Sequence, residues 1–195
     1  MIYHSVFPTL ISETPNFITD NELKKTKDVI QKNIKHLKHH ETFGQNNVFN
    51  GNAKSSHKND SNFLELIPFL KDRIYAAAKE YVKQSGFKVS NEIGNSWFNI
   101  QKKDSHLDKH THPGSIISGA LFIKTDLKSS KLFFYNPNPM INFTSINVRN
   151  NYNYEWIYFT PKPKTLILFP SWLQHGSNNT LNKSSQRIVV SFNYL

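Results

Sequence analysis

The apolar positions of the chain change their spacing near residue 87. Before it they recur at helical intervals. Leu23, Val29, Ile30, Ile34 and Leu37 fall roughly on one face, behind Thr19 and Glu22, which are spaced as a capping box. This predicts a helix over about 20–40. Leu70, Ile74, Ala77, Ala78 and Tyr81 repeat the pattern, with Pro68 suited to a first turn and Gly86 to a C-terminal cap. A second helix is therefore predicted over about 61–85. Residues 2–12 read as an extended entry segment. The polar, Gly/Asn-rich stretch 41–60 reads as a loop.

After residue 87 the period is that of strands. Strands are predicted at about 95–102, 117–124, 131–135, 153–159, 165–169 and 186–194, with turn signals in NPNP at 136–139 and PKPK at 161–164. Two helices followed by a run of strands make an α+β fold, with the helices packed on one face of an antiparallel double sheet. With no repeat or linker in the sequence, residues 1–195 are expected to form one domain.

Composition narrows the chemistry. There is no cysteine, which excludes disulfides, zinc–thiolate sites and cysteine nucleophiles, so a metal would have to use His, Asp or Glu. The first residues lack a basic stretch followed by an apolar one, and no run approaches the roughly 18 apolar residues of a membrane span. A cytoplasmic protein without membrane attachment is expected. The net charge of +10 admits nucleic-acid binding. However, the only arginines are Arg73, Arg149 and Arg187, and phosphate-gripping surfaces favour the bidentate guanidinium. Nucleic acid is thus not the favoured partner. A homo-oligomer is compatible with the sequence, which does not specify one.

Of the nine histidines, His36, His39 and His40 end a basic helix, where the dipole suits them, and His57 lies in a polar loop. The segment HLDKHTHPG differs, because it places three histidines and an aspartate between two predicted strands. His110 and His112 are two apart and point the same way on extended backbone. His175 follows the apolar strand LILF and a Pro-Ser-Trp turn. Arg187 opens the last strand, where Arg187, Val189, Ser191 and Asn193 share one face and Ile188, Val190 and Phe192 face the helices. A buried, unpaired arginine would cost several kcal/mol. Glu155 is a weak partner within the chain, and a carboxylate-bearing ligand fits better.

Taken together, SWFNIQKKDSHLDKHTHPGSIISGALFIK, LFFYNP, PKTLILFPSWLQHGS and RIVVSFN, with the early VFPT, resemble the 2-oxoglutarate/Fe(II) oxygenases common in marine phages and bacteria. The resemblance covers roughly the whole chain. It implies a double-stranded β-helix (jelly-roll) with Fe(II) in its mouth and 2-oxoglutarate as cosubstrate. If the gene is phage-borne, the host cytoplasm is its location. His110 and His175 would be metal ligands, and Arg187 would pair with the far carboxylate of 2-oxoglutarate. The superfamily more often uses two histidines and a carboxylate. Here His112 stands where the carboxylate would, which suggests a three-histidine site. His106 and Asp108 form a literal H-x-D and are the alternative, and Asp108 with His110 and His175 is a mixed set. Where related enzymes often carry a serine, Val189 stands, with Ser191 as its substitute.

Asn99 and Asn193 are candidate polar contacts to the cosubstrate. Asn99 shares its strand face with Trp97 and Gln101, and an ordinary solvent-facing position is its plainer reading. Trp97 and Phe122 are candidate pocket walls or core residues. Loop 41–60 and segment 140–153 are candidate lids over a peptide or small-molecule substrate, or plain surface loops. The competing readings are a non-catalytic jelly-roll binding or structural phage protein, a three-histidine dioxygenase that does not use 2-oxoglutarate, and a basic nucleic-acid binder.

Overall fold

The structure, a computed structural model, describes residues 1–34, 49–51, 53–57, 62–90, 92–177 and 179–195. Helix α1, Asp20–Asn33, begins at the expected capping box: Thr19 Oγ1 accepts from the Glu22 N–H at 3.3 Å, and Glu22 Oε2 accepts from the Thr19 N–H at 2.8 Å. The remainder of the helix predicted to residue 40, with His36, His39 and His40, lies outside the described residues, as does most of loop 41–60. Helix α2, Pro68–Ser85, starts at the proline and closes on Gly86, whose φ of 72° needs no Cβ penalty. The preceding residues, Phe63–Leu66, form a 3₁₀ turn rather than the start of the same helix. Pro68 has no N–H to continue a ladder, so the break falls there.

The strands are β1 Ser12–Thr14, β2 Phe49–Asn50, β3 Ala53–Ser55, β4 Ile93–Gln101, β5 His106–Leu107, β6 Ile117–Lys124, β7 Leu132–Tyr135, β8 Trp156–Phe159, β9 Leu166–Pro170, β10 His175–Gly176 and β11 Arg187–Tyr194. They form a six-stranded sheet in the order β1-β9-β6-β11-β4-β3, a three-stranded sheet β10-β7-β8 and the pair β2-β5, with every pairing antiparallel. Strand β8 starts three residues later than expected. Asn150 and Asn153 instead bend the chain, with Asn153 Oδ1 accepting from the Asn150 N–H at 2.8 Å and Asn150 Oδ1 from the Tyr152 N–H at 2.9 Å.

The large sheet separates two apolar layers. On one side Ile100, Leu121, Val190 and Phe192 meet Ile30 of α1 and Leu70, Ile74 and Ala78 of α2. The helices thus cover one face of one sheet, as the alternation of β11 predicts. On the other side Ala120, Phe122, Ile167, Phe169 and Val189 meet Leu132 and Phe134 of the small sheet. Gly119 permits the tightest spot in this arrangement, since a Cβ there would lie 2.1 Å from the ring of Phe192. Among the described residues no helix is long and apolar enough to cross a membrane.

Candidate metal centre

His110 and His175 face each other across an isolated antiparallel bridge. The His110 N–H donates to the His175 carbonyl at 2.8 Å, and the His175 N–H donates back at 3.0 Å. The residues around them explain the close approach. A Cβ on Gly176 would lie 2.8 Å from the Leu107 carbonyl oxygen and 2.9 Å from that of Asp108, so only glycine lets the two backbones meet here. Ser177 clamps the same point: its N–H donates to the Leu107 carbonyl at 2.7 Å, and its Oγ accepts from the Leu107 N–H at 2.9 Å. His112 is tied down separately, with its N–H donating to the Ser171 carbonyl at 3.0 Å. Ser171 is the serine of the Pro-Ser-Trp turn.

The three imidazoles therefore converge. Ring centroids are 4.3 Å apart for His110 and His175, and 5.0 Å for each pair that includes His112. One ring nitrogen from each lies within 4.8 Å of the other two, close enough to share an ion. The far nitrogens of two rings are engaged by carbonyls: His110 Nδ1 with that of Asp108 at 2.8 Å, and His175 Nδ1 with that of Leu173 at 2.9 Å. A carbonyl only accepts, so each Nδ1 carries the proton and each Nε2 keeps its lone pair. Histidine ligands in metal sites are commonly oriented in this way.

Electrostatics favours the neutral, ligating form. Burial pushes His175 well below the usual imidazole value, helped by repulsion from His110 and His112. Burial, then the neighbouring His110, lowers His112 to about 3. Burial also lowers His110, against opposing contributions from Asp108. Phe169, with its ring 4.5 Å from that of His175, and Phe134 at 6.1 Å supply much of this apolar wall. Three uncharged imidazoles aimed at one point suit a divalent first-row metal.

The literal H-x-D pair is placed differently. His106 Nε2 is 3.1 Å from Asp108 Oδ1, so these side chains pair with one another, and among the described residues the group that could hold an ion is His110, His112 and His175. The Asp108 carbonyl, rather than its carboxylate, serves this cluster.

Arg187 is 5% exposed and sits on the inner face of β11, opposite Gln101. Its Nη1 donates to Gln101 Oε1, and its guanidinium lies 5.3 Å over the Phe122 ring. No ion pair involves Arg187 among the described residues, so Glu155 is not its partner. Burial brings its pKa down to about 10, leaving it charged at neutral pH. Among the described residues its Nε–H, Gln101 Nε2 and Asn99 Oδ1 are all buried without a hydrogen-bond partner. Such orphaned atoms on one sheet face fit a missing polar ligand.

Asn99 is buried rather than solvent-facing, and its Nδ2 donates to Ser191 Oγ at 3.4 Å. Trp97, also buried, lays its ring 5.8 Å from His112 and 4.7 Å from His57, which brings His57 unexpectedly close to the centre. Asn193 is occupied elsewhere. Its Oδ1 accepts from Ser118 Oγ at 2.7 Å, and its Nδ2 donates to Asn95 Oδ1 at 2.8 Å. Ser118 Oγ in turn lies 2.8 Å from Ser171 Oγ, so Asn193 braces the turn that holds His112. The residue that sequence reasoning missed is Gln101. Its only sequence signal was the shared alternation with Asn99.

The molecule resembles several solved structures in fold. A prolyl hydroxylase from Trichoplax adhaerens, solved with a peptide fragment of hypoxia inducible factor, aligns with a TM-score of 0.68 and 8% identity over 94% of this chain and 83% of that one. SnoN, a non-heme α-ketoglutarate-dependent epimerase from nogalamycin biosynthesis, gives 0.67 and 10% over 96% and 76%. HygX from Streptomyces hygroscopicus, with nickel and 2-oxoglutarate bound, gives 0.57 and 10% over 95% and 82%. No curated protein matches the chain in sequence. The model of the 2OG-Fe(II) oxygenase family matches residues 95–193, just over half of the chain and the part that carries all three histidines and Arg187. The chain therefore belongs to the 2OG-Fe(II) oxygenase family, with Fe(II) as its cofactor and 2-oxoglutarate as its cosubstrate.

Proposed function

We propose that the chain is an Fe(II)- and 2-oxoglutarate-dependent dioxygenase of the hydroxylase type, acting on a peptide or small molecule. Its two main sheets are read as the halves of a double-stranded β-helix in a single domain spanning residues 1–195. The observation that carries the proposal is the pairing of two features. Three neutral imidazoles converge on one point, and a buried arginine with no carboxylate partner among the described residues lies on the same inner side of the large sheet.

In this reading His110, His112 and His175 hold the metal. The carbonyls of Asp108 and Leu173 hold the Nδ1 protons and fix two of the rings. Phe134 and Phe169 keep water from His175. Arg187 neutralises the distal carboxylate of 2-oxoglutarate, with Asn99 and Ser191 as polar neighbours. Iron with 2-oxoglutarate supplies the O2 activation that oxidises a C–H bond, with succinate and CO2 as co-products. Asn193 is left to its structural network.

Substrate would approach along a groove of about 850 Å³, lined by the N-terminal stretch around Phe7, the segment around Tyr152 and the aromatic strand residue Trp156. Phe134 and Leu173, the neighbours of His175, form its inner wall. In this reading segment 140–153, which supplies Ile141, Asn151 and Tyr152 to the groove, serves as a substrate lid. Related folds are solved in complex with a peptide fragment in one case and with hygromycin B bound in another.

The test is anaerobic titration with Fe(II) and 2-oxoglutarate, watched for the weak visible charge-transfer band of the chelate. The band is expected in the wild type, absent in His175→Ala, and shifted to far higher 2-oxoglutarate concentration in Arg187→Ala. Iron binding without a band would favour a three-histidine dioxygenase that does not use 2-oxoglutarate. Binding of neither would sink the enzyme reading and leave a binding module.

A further inference from the structure

Gln101 ends β4, is 1% exposed, and stands opposite Arg187 in the register of β4 and β11. Its Oε1 accepts from Arg187 Nη1. A guanidinium only donates, so this contact fixes the orientation of the carboxamide: oxygen toward Arg187, Nε2 turned away. Among the described residues that Nε2 is buried without an acceptor, and so is the Nε–H of Arg187. Two neighbouring residues therefore present unsatisfied donors in the interior, beside a buried cation with no anion among the described residues. Burying donors without acceptors is costly, and a ligand oxygen bearing negative charge would satisfy both.

We infer that Gln101 is a second recognition residue for the distal carboxylate of the 2-oxo acid, its Oε1 fixing the Arg187 fork and its Nε2 donating to the carboxylate alongside it. This rests on the 2-oxoglutarate reading above. The register supports it. Along the inner face of β4, Trp97 touches His112, Asn99 follows, and Gln101 meets Arg187. The stripe runs from the histidine cluster to the cation over four residues, about 13 Å of strand. An elongated diacid could lie along it with one end at each pole. A single arginine at the far pole would hold a carboxylate by charge. A second donor fixed at right register adds selection for the second carboxylate over an uncharged end.

The experiment uses the full chain loaded with Mn(II), with calorimetric Kd values for 2-oxoglutarate and for 2-oxobutyrate, which lacks the distal carboxylate. Gln101→Met is expected to weaken 2-oxoglutarate on the order of tenfold to a hundredfold while 2-oxobutyrate stays within about twofold. Gln101→Glu keeps an acceptor for Arg187 but removes the donor and adds charge, so it is expected to weaken 2-oxoglutarate at least as much. It also guards against a folding defect in the methionine variant. Equal weakening of both acids, or of neither, would overturn the inference. So would wild-type affinity in Gln101→Glu, which would reduce Gln101 to a prop for Arg187. A wild-type protein that binds Mn(II) but no 2-oxoglutarate would overturn the function reading itself, and this inference with it.

Discussion

His110 and His175 exchange a pair of backbone hydrogen bonds, 2.8 and 3.0 Å, so the two rings are placed by main chain rather than by side-chain packing alone. The approach depends on Gly176, whose missing Cβ leaves room for the Leu107 and Asp108 carbonyls. Backbone cannot swing aside as a flexible side chain can. Gly176→Ala is therefore expected to cost about 1–3 kcal/mol of stability through overpacking. It should also weaken metal binding by about tenfold or more, as losses around ligating histidines typically do. Urea unfolding and Mn(II) titration would check both. A variant with intact metal affinity would show that the bridge does not position the rings.

The three histidines also make a pH prediction. Each has a folded pKa below the ordinary imidazole value of 6.5, with burial as the first cause. Above that value neither state takes up protons, and nothing changes. Below it the unfolded chain binds protons that the folded chain refuses, so stability falls as pH falls, down to the folded values, about 3 for His112. Each histidine contributes a slope of up to ~1.4 kcal/mol per pH unit. Urea unfolding of metal-free protein between pH 7 and 5 should show this decline, and His112→Ala should flatten it. A stability that is level or rises toward pH 5 would contradict the burial argument.

How far this centre could be read from sequence depends on which constraint is local. The alternation of β11 put Arg187 and Ser191 inward and Phe192 toward the helices, because neighbours along one strand settle that choice. The capping box and Pro68 likewise set their helix starts through residues three positions apart or fewer. The selection of His110 and His112 over His106 and Asp108 was not local. Both pairs have the same spacing, and what separates them in space is the bridge to His175. Gln101 carries no local signal of its role for the same reason, since its partner is 86 residues away and is found through register. Strands β5 and β10, two residues each, are too short to show any period.

Gly119 and Phe192 are cross-strand partners on the helix-facing side of the sheet, and the ring fills the space a Cβ would take. Gly119→Ala should destabilise by about 1–3 kcal/mol. Phe192→Leu should relieve part of that cost, giving a coupling of about 0.5–3 kcal/mol in a double-mutant cycle. Strict additivity would mean that the glycine serves the backbone and not the ring.

Asn99 and Asn193 lie on the same side of the large sheet, yet their environments predict opposite outcomes. The Asn193 carboxamide already bonds Ser118 and Asn95, so Asn193→Ala removes two side-chain hydrogen bonds, one of them buried. That should cost about 1–3 kcal/mol, while 2-oxoglutarate affinity of the folded fraction stays close to wild type. Asn99 has one long bond to Ser191 and a buried oxygen without a partner. Rotating its amide end for end would let the Ser191 hydroxyl donate to the oxygen and leave the nitrogen free to donate to a ligand oxygen. Asn99→Ala should therefore leave stability nearly unchanged and weaken 2-oxoglutarate several-fold. Thermal unfolding paired with calorimetry on Mn(II)-loaded protein separates the two. If Asn193→Ala lost cosubstrate affinity at unchanged stability, the brace assigned to it would be wrong and Asn193 would belong among the cosubstrate contacts.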